Sequence, residues 1–506
     1  MPPMTTDRLF DRNPLAAALH VLCVVFAMMF GSAAVLADQR PLVLGMALEP
    51  PHLDPTAGAA AAIDEVLYAN VFEGLTRIGP DGSVGTGLAT DWSASEDGLT
   101  WTFTLRDGVS FHDGAPFDAS VAKFSLDRAR APGAENAQPQ LFAAIDEVRA
   151  PDSTTLVIAL SEPDADLPYA LGWGDAVMVH PDTAETNKQS PVGTGPFRFD
   201  EWRRGSRIVL ERNQDYWAQP PALPRVEFVF IAEPATALAA MMAGDISAFP
   251  NFPAPEMLPV LESDPRFTVE IGTTEGETIM AMNARRAPLD DVRVRRAIAS
   301  AIDRQALVDG AMYGTATPIG SHYPPHAPGY VDLTGVNAYD PERAKSLLAE
   351  AGVEGLSLEL ALPPPSYARR SGEIIAAQLR AVGIEAQLKP VEWAEWLANV
   401  FRGHEYDLTI VSHTEPSDIG IYGRKDYYFH VDDAELDQVL AALQRETDPD
   451  ARLQLLAKAQ QLIADDAVNA FLFQFPKIGV WDARLDGLWS NAPVQANDVT
   501  GVRWLE

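Results

Sequence analysis

The chain has 506 residues, of which 47% are apolar, 22% charged and 8% aromatic. That length predicts two or three domains of roughly 100–200 residues each, and the composition excludes wholesale disorder. Lys and Arg total 38 against 71 Asp and Glu, a formal charge of −33, and no block supplies the basic footprint that a nucleic-acid binder needs.

The single cysteine, Cys23, excludes a disulfide scaffold and any paired-cysteine metal or redox motif. It lies in an uncharged apolar run, residues 15–30, that is shorter than the roughly 20 residues of a membrane span. Arg8 and Arg12 precede the run, and Val35-Leu36-Ala37 offers a small-residue cleavage site. Residues 1–37 therefore read as a secretory signal peptide, with Asp38 as the mature start. Asp7 and Asp11 balance the two arginines, so cleavage leaves the acidic excess intact.

Residues 41–47 read as a strand. Ile63, Val66, Leu67 and Val71 fall at helical spacing over 61–73, with Gly74 as the C-terminal cap. Strict alternation over 99–105 predicts a half-buried strand, and Asp118 or Ser120 caps a helix to Ala129. Further strands are expected at 153–160, 197–202, 207–210 and 226–231. After about residue 275 the texture changes. Asp290 or Asp291 opens a helix through Val308 that Gly310 ends, and Asp340-Pro341 opens another that Gly352 closes.

Leucine then occupies every second place over 356–362. A helix at 366–382, capped by Ser366 and ended before Gly383, a strand at 384–391, a helix at 392–402 and a strand at 406–413 follow. This β-α-β-α-β order demands a parallel sheet. Ligands bind beyond the carboxyl ends of such strands, which marks the loop Thr414-Glu415-Pro416-Ser417-Asp418. Helices at 433–446 and 449–466 and a strand at 471–481 complete the second half, and the tail returns to the first domain. The pattern implies two α/β lobes with a cleft between them.

Chemistry-bearing motifs are missing from suitable contexts: there is no GxSxG elbow, Walker loop, dinucleotide GxGxxG or HExxH. Gly193-Thr194-Gly195-Pro196 reads as a turn entering a strand, because Pro196 lacks the N–H of a phosphate cradle. His322 and His326 stand four apart, but Pro324, Pro325 and Pro328 forbid a helix, so the one-face ligand geometry fails. His112, before Asp113-Gly114, reads as a turn residue. The pairs Asp290-Asp291, Asp432-Asp433 and Asp465-Asp466 read as caps or solvated faces. No catalytic residue, metal site or cofactor is expected.

Four stretches carry a resemblance. They are Val192-Gly193-Thr194-Gly195-Pro196-Phe197-Arg198-Phe199 running on to Asn213 and Asp215-Tyr216-Trp217; Leu88 to Trp92 with Asp97 to Phe103 and Arg106 to Gly114; Asn283 with Pro288 to Ile298 and Ile302-Asp303-Arg304; and Tyr339 to Ala344. In this order they closely resemble the peptide/nickel-type solute-binding proteins of ABC importers. The resemblance spans essentially the whole mature chain.

It implies an α/β, two-lobed periplasmic binding protein of type II and the large cluster C type, with a strand-rich subdomain inserted in the first lobe. The implied boundaries are 38–78, 193–272 and 483–506 for lobe I, 79–192 for the insertion and 273–482 for lobe II. It further implies a monomeric periplasmic receptor without cofactor that delivers a small solute to a permease and its ATPases, with no nucleic acid. In peptide binders of the family an Asp near a Glu/Asp-Pro pair meets the ligand's amino terminus. Glu415-Pro416 matches that pair, the family spacing lands on Ser412, and Glu415 or Asp418 could supply the carboxylate. Trp393 matches a pocket aromatic, although Trp393, Trp396, Leu397 and Val400 also make a core stripe. Tyr427 and Tyr428 are candidate stacking residues. The expected ligand is a short peptide or peptide-like amine. Nickel or a metal–chelator complex is the alternative, invited by His413, and a hydrolase has the least support.

Overall fold

The computed structural model describes residues 40–58, 60–414 and 418–505. The signal peptide expected at 1–37 and the candidate Glu415 lie outside the described residues.

Two long strands organise the molecule. Phe267–Met282 and Asn469–Asp482 run antiparallel through an 11-stranded sheet. On one side lie Ala248–Phe249, Leu42–Met46, Arg225–Phe230, Arg207–Arg212 and Phe197–Arg203 in that order. On the other side Leu408–His413 pairs antiparallel with Phe267–Met282, and Leu356–Leu362 and Ile384–Pro390 add in parallel. The β-α-β-α-β expectation is met, and helix Ser366–Ala381 supplies one crossover. Val411, Ile410, Leu360 and their neighbours are buried on both faces, as strands of a covered parallel sheet are.

A separate four-stranded sheet runs Ala89–Ala94, Thr100–Leu105, Thr155–Leu160, Ile145–Arg149. Its alternation is the one read from sequence: Trp101, Phe103 and Leu105 are buried with Leu156, Ile158 and the helix residue Leu126. Asp118 caps that helix by accepting from the backbone N–H of Ser120 and Val121. The tail returns to the first half, where Asn70 bonds Asn497 and Val499, and Arg77 pairs with Asp498.

The Gly193–Trp217 hallmark has a physical purpose. Thr194, Tyr216 and Trp217 all donate to the buried Glu73 carboxylate, at 2.8, 2.7 and 2.9 Å. Asn213 holds the loop by donating from its backbone to Pro196 and from its side chain to Gly195. A Cβ on Gly193 would stand 1.9 Å from the Val71 carbonyl oxygen, so backbone approach dictates glycine there.

Three helical expectations change. The helix expected over 61–73 stops at Leu67, because Tyr68 is extended and Ala69 takes φ +61°. The helix expected from Asp290 to Val308 is two, Val292–Ser300 and Arg304–Ala311, because Asp303 accepts from the Ala306 N–H and starts afresh; Gly310 lies inside the second. Residues 392–402 form one turn, Trp393–Glu395, and then a π-helix, Trp396–Arg402. Its wider winding breaks the expected stripe: Trp396 and Val400 are buried, while Trp393 and Leu397 are 41% and 40% exposed.

Candidate solute site

The sheet register builds the site. Glu277 stands directly opposite His413 on one side and Gln474 on the other. Directly opposed residues share a sheet face, so His413, Glu277 and Gln474 form one polar row across three strands. All three are buried. The row sits at the carboxyl end of Leu408–His413, where the register between the long strands breaks between Thr273 and Glu277.

Two side chains cap this row. His322, from the proline-rich segment, places Nδ1 2.8 Å from Glu277 Oε1 and Nε2 2.7 Å from Asp418 Oδ1. Burial alone would push the imidazole down, but Glu277 and Asp418 outweigh it and raise its pKa to about 10. His322 is therefore an imidazolium clamped between carboxylates. Burial pushes Glu277 up to about 7 against the opposing pull of His322. Asp418, the first residue of the 3-10 turn Asp418–Gly423, also faces His413, whose Nδ1 lies 3.9 Å from Oδ2. His326 repeats the motif one step along the strand, with Nε2 2.9 Å from Glu275 Oε1 and Nδ1 2.7 Å from Thr273 Oγ1.

The candidates read from sequence separate into groups. His413, Asp418 and Tyr428 come together, with the Tyr428 hydroxyl 3.0 Å from His413 Nε2 and the two rings stacked. Tyr428 is only 1% exposed, so it supports His413 from behind and presents no stacking surface; the half-buried Tyr427 flanks it. Ser412 points to the face opposite His413, because neighbouring strand residues alternate, and its N–H donates to the Tyr367 hydroxyl. Trp393 meets Trp396 edge-on, and Trp396 meets Tyr428.

Glu275, Glu277, His322, His326 and Gln474 escaped the sequence reading. The two histidines fail the helical ligand test, yet they act from an irregular segment against a strand. The usable signal was a pair of glutamates in an apolar strand, Glu275 and Glu277 before Thr278-Ile279-Met280-Ala281-Met282. Ligand atoms of Glu277, His322 and Asp418 lie within 4.8 Å of one another, a set able to hold a metal ion that the sequence reading did not expect.

Two continuous strands joining the halves of a mixed α/β sheet, with a buried ionic cluster where they cross, define a two-lobed solute-binding protein. The chain belongs to the bacterial extracellular solute-binding proteins, family 5: the model described as "family 5 Middle" matches residues 83–418. It is 30% identical over 369 residues to the dipeptide-binding protein of Escherichia coli K12, covering 65% of this chain and 67% of that one. It is 30% identical over 344 residues to the nickel-binding periplasmic protein of the same organism, covering 63% of this chain and 65% of that one. The structure of HbpA2 from Haemophilus parasuis shares the fold, with TM-score 0.85, 24% identity and coverage of 92% and 100%. Among the described residues no helix is long and apolar enough to cross a membrane.

Proposed function

We propose that this protein is the periplasmic receptor of an ABC importer and that it binds a short peptide or peptide-like amine between its lobes. It is a carrier without catalytic residues or cofactor, acts as a monomer, and hands its solute to a permease pair driven by ATPases. The lobe boundaries are those implied by the family resemblance, with the hinge at the strand crossing near Thr273–Glu277.

The observation that carries the amine assignment is the charge of the cluster. Glu275, Glu277 and Asp418 gather at the strand end, and their ion-pair partners among the described residues are all imidazoles. A site with more carboxylate than fixed cation favours an ammonium, and a charge-assisted bond there contributes about 1.5–3 kcal/mol. The dipeptide-binding relative supports the same class of solute. Trp393, exposed beside this region, is the proposed aromatic wall.

Calorimetric titration of the mature protein with peptide pools, opine-like amines, sugars and nickel tests the proposal. Heat from peptides or amines, with Asp418→Ala abolishing it, is the expected result. Binding of sugars alone overturns it.

A further inference from the structure

Residues 79–192, read as the insertion in lobe I, reach residues 273–482, read as lobe II, at two places. At the first, the Ala165 N–H donates to the Gln444 carbonyl at 3.1 Å, and Asp166 pairs with Arg452. Gln444 ends the helix Ala434–Leu443, where carbonyls have no partner inside the helix. Arg452 gathers two neighbouring carbonyls, donating from Nη1 to Leu443 at 2.8 Å and to Glu446 at 3.0 Å, and turns Nη2 to Asp166. At the second, the turn Pro80-Asp81-Gly82 lies against the proline-rich segment: a Cβ on Gly82 would stand 3.7 Å from His326 and Pro328 and 3.8 Å from Ala327. Both sides of the first contact are held by bonds of their own. The Trp101 indole donates to the Asp164 carbonyl at 3.2 Å, and Asp164 Oδ1 accepts the Asp166 N–H at 2.9 Å. Asp448 accepts the Ala451 N–H at 2.9 Å and so fixes the start of the helix Pro449–Asp466 that carries Arg452. Surfaces ordered in advance lose little freedom when they meet.

We propose that Asp166 and Arg452 latch the insertion to lobe II across the mouth of the cleft and bias the receptor toward its closed state whether or not a solute is bound. Asp166 and Arg452 stand on opposite sides of the hinge at Thr273–Glu277, so their pair forms only when the lobes approach. Every bond of the latch joins two protein groups, so the closed state gains these bonds with an empty cleft as well. A solute then has less of the closing free energy to supply, and the latch raises the apparent affinity for any solute without choosing among solutes. Choice of solute stays with the cluster at Glu277 and Asp418, and duration of closure with Asp166 and Arg452. The inference rests on the two-lobed reading proposed above and not on the amine assignment.

The test measures spin-label distances across the mouth in the solute-free mature protein, so a failed peptide titration leaves it untouched. With residues 1–37 removed the chain has no cysteine, and labels are attached through Glu162→Cys and Thr447→Cys, both exposed positions beside the latch. A short-distance population is expected in the protein with the latch intact. Asp166→Asn leaves the Arg452 bonds to Leu443 and Glu446 in place and should lower the ratio of short to long distances about fivefold, as should Arg452→Ala. Sodium chloride at about 1 M should shift the latched protein the same way and leave Asp166→Asn unmoved, because it screens a pair that the variant no longer has. Thermal melts separate an opened variant from an unfolded one. Absence of a short-distance population in the latched protein overturns the inference. So does an unchanged distance distribution in folded Asp166→Asn and Arg452→Ala.

Discussion

Glu73 and Glu277 are both buried carboxylates, 5% and 4% exposed, and burial raises the pKa of each. Their surroundings differ in kind. Glu73 is caged by three neutral donors, Thr194, Tyr216 and Trp217, none of which can leave without opening the fold. Glu277 is balanced by one imidazolium, His322, which also serves Asp418 on the adjoining turn. A neutral cage satisfies its carboxylate completely and fixes a scaffold. An ionic cluster with more carboxylates than cations leaves charge for a ligand to complete. The first arrangement is structural and the second is the one proposed to meet the solute, although exposure alone does not tell them apart.

The sharpest break of this comparison is Glu73→Ala. Three buried donors would lose their acceptor together, at about 4 kcal/mol of stability. Chemical denaturation measures it, and a loss below about 1 kcal/mol would mean that the cage is not structural. Asp418→Ala, at the other pole, should leave the melting temperature nearly unchanged and weaken an amine-bearing solute by about 3 kcal/mol, roughly a hundredfold. Equal loss of both stability and affinity would place Asp418 in the scaffold class.

Asp175 tests a buried carboxyl that has only backbone donors and, among the described residues, no ion-pair partner. Its Oδ1 meets no hydrogen-bond donor, and burial pushes its carboxyl up to about 7. A folded-state pKa above the unfolded one means that the folded form holds the proton more tightly, so stability falls as pH rises from about 4 to about 7. Asp175→Asn should therefore stabilise the protein by about 2 kcal/mol at pH 8 and by little at pH 4. Thermal melts at the two pH values check the sign. Smallest of all, Lys123→Ala should cost less than about 1 kcal/mol, since its pair with Asp127 is only half-buried and partly screened by water.

What was legible in the sequence followed the range of the interactions. The parallel unit from Leu356 to His413 was readable because period-2 leucines and capping residues act within a few positions. The 392–402 stripe misled because a π-helix shares no period with the 3.6-residue pattern, and only Trp396 and Val400 reach the core. The hallmark around Gly193 was readable as scaffold, but its purpose was not, since the Glu73 it cages lies over a hundred residues earlier. The cluster at His322 was unreadable for the same reason. Its members come from a strand, a proline-rich segment and a turn that only the folded sheet brings together. His322 was weighed only as a helical ligand, and Glu275 and Glu277 were not singled out. Asp418 stood out as a candidate because it follows the end of a parallel strand, where topology alone marks a ligand position.

The most direct measurement compares one peptide in two forms. A dipeptide that binds in the calorimetric screen is titrated again with its amino terminus acetylated, against the same mature protein in the presence of chelator. If the carboxylates of Glu275, Glu277 and Asp418 recognise an ammonium, acetylation should weaken binding about thirtyfold or more, because the cluster then meets a neutral group that it cannot complete. Equal affinity of the two forms would contradict the account, because the cluster would then be as much a part of the scaffold as the cage around Glu73.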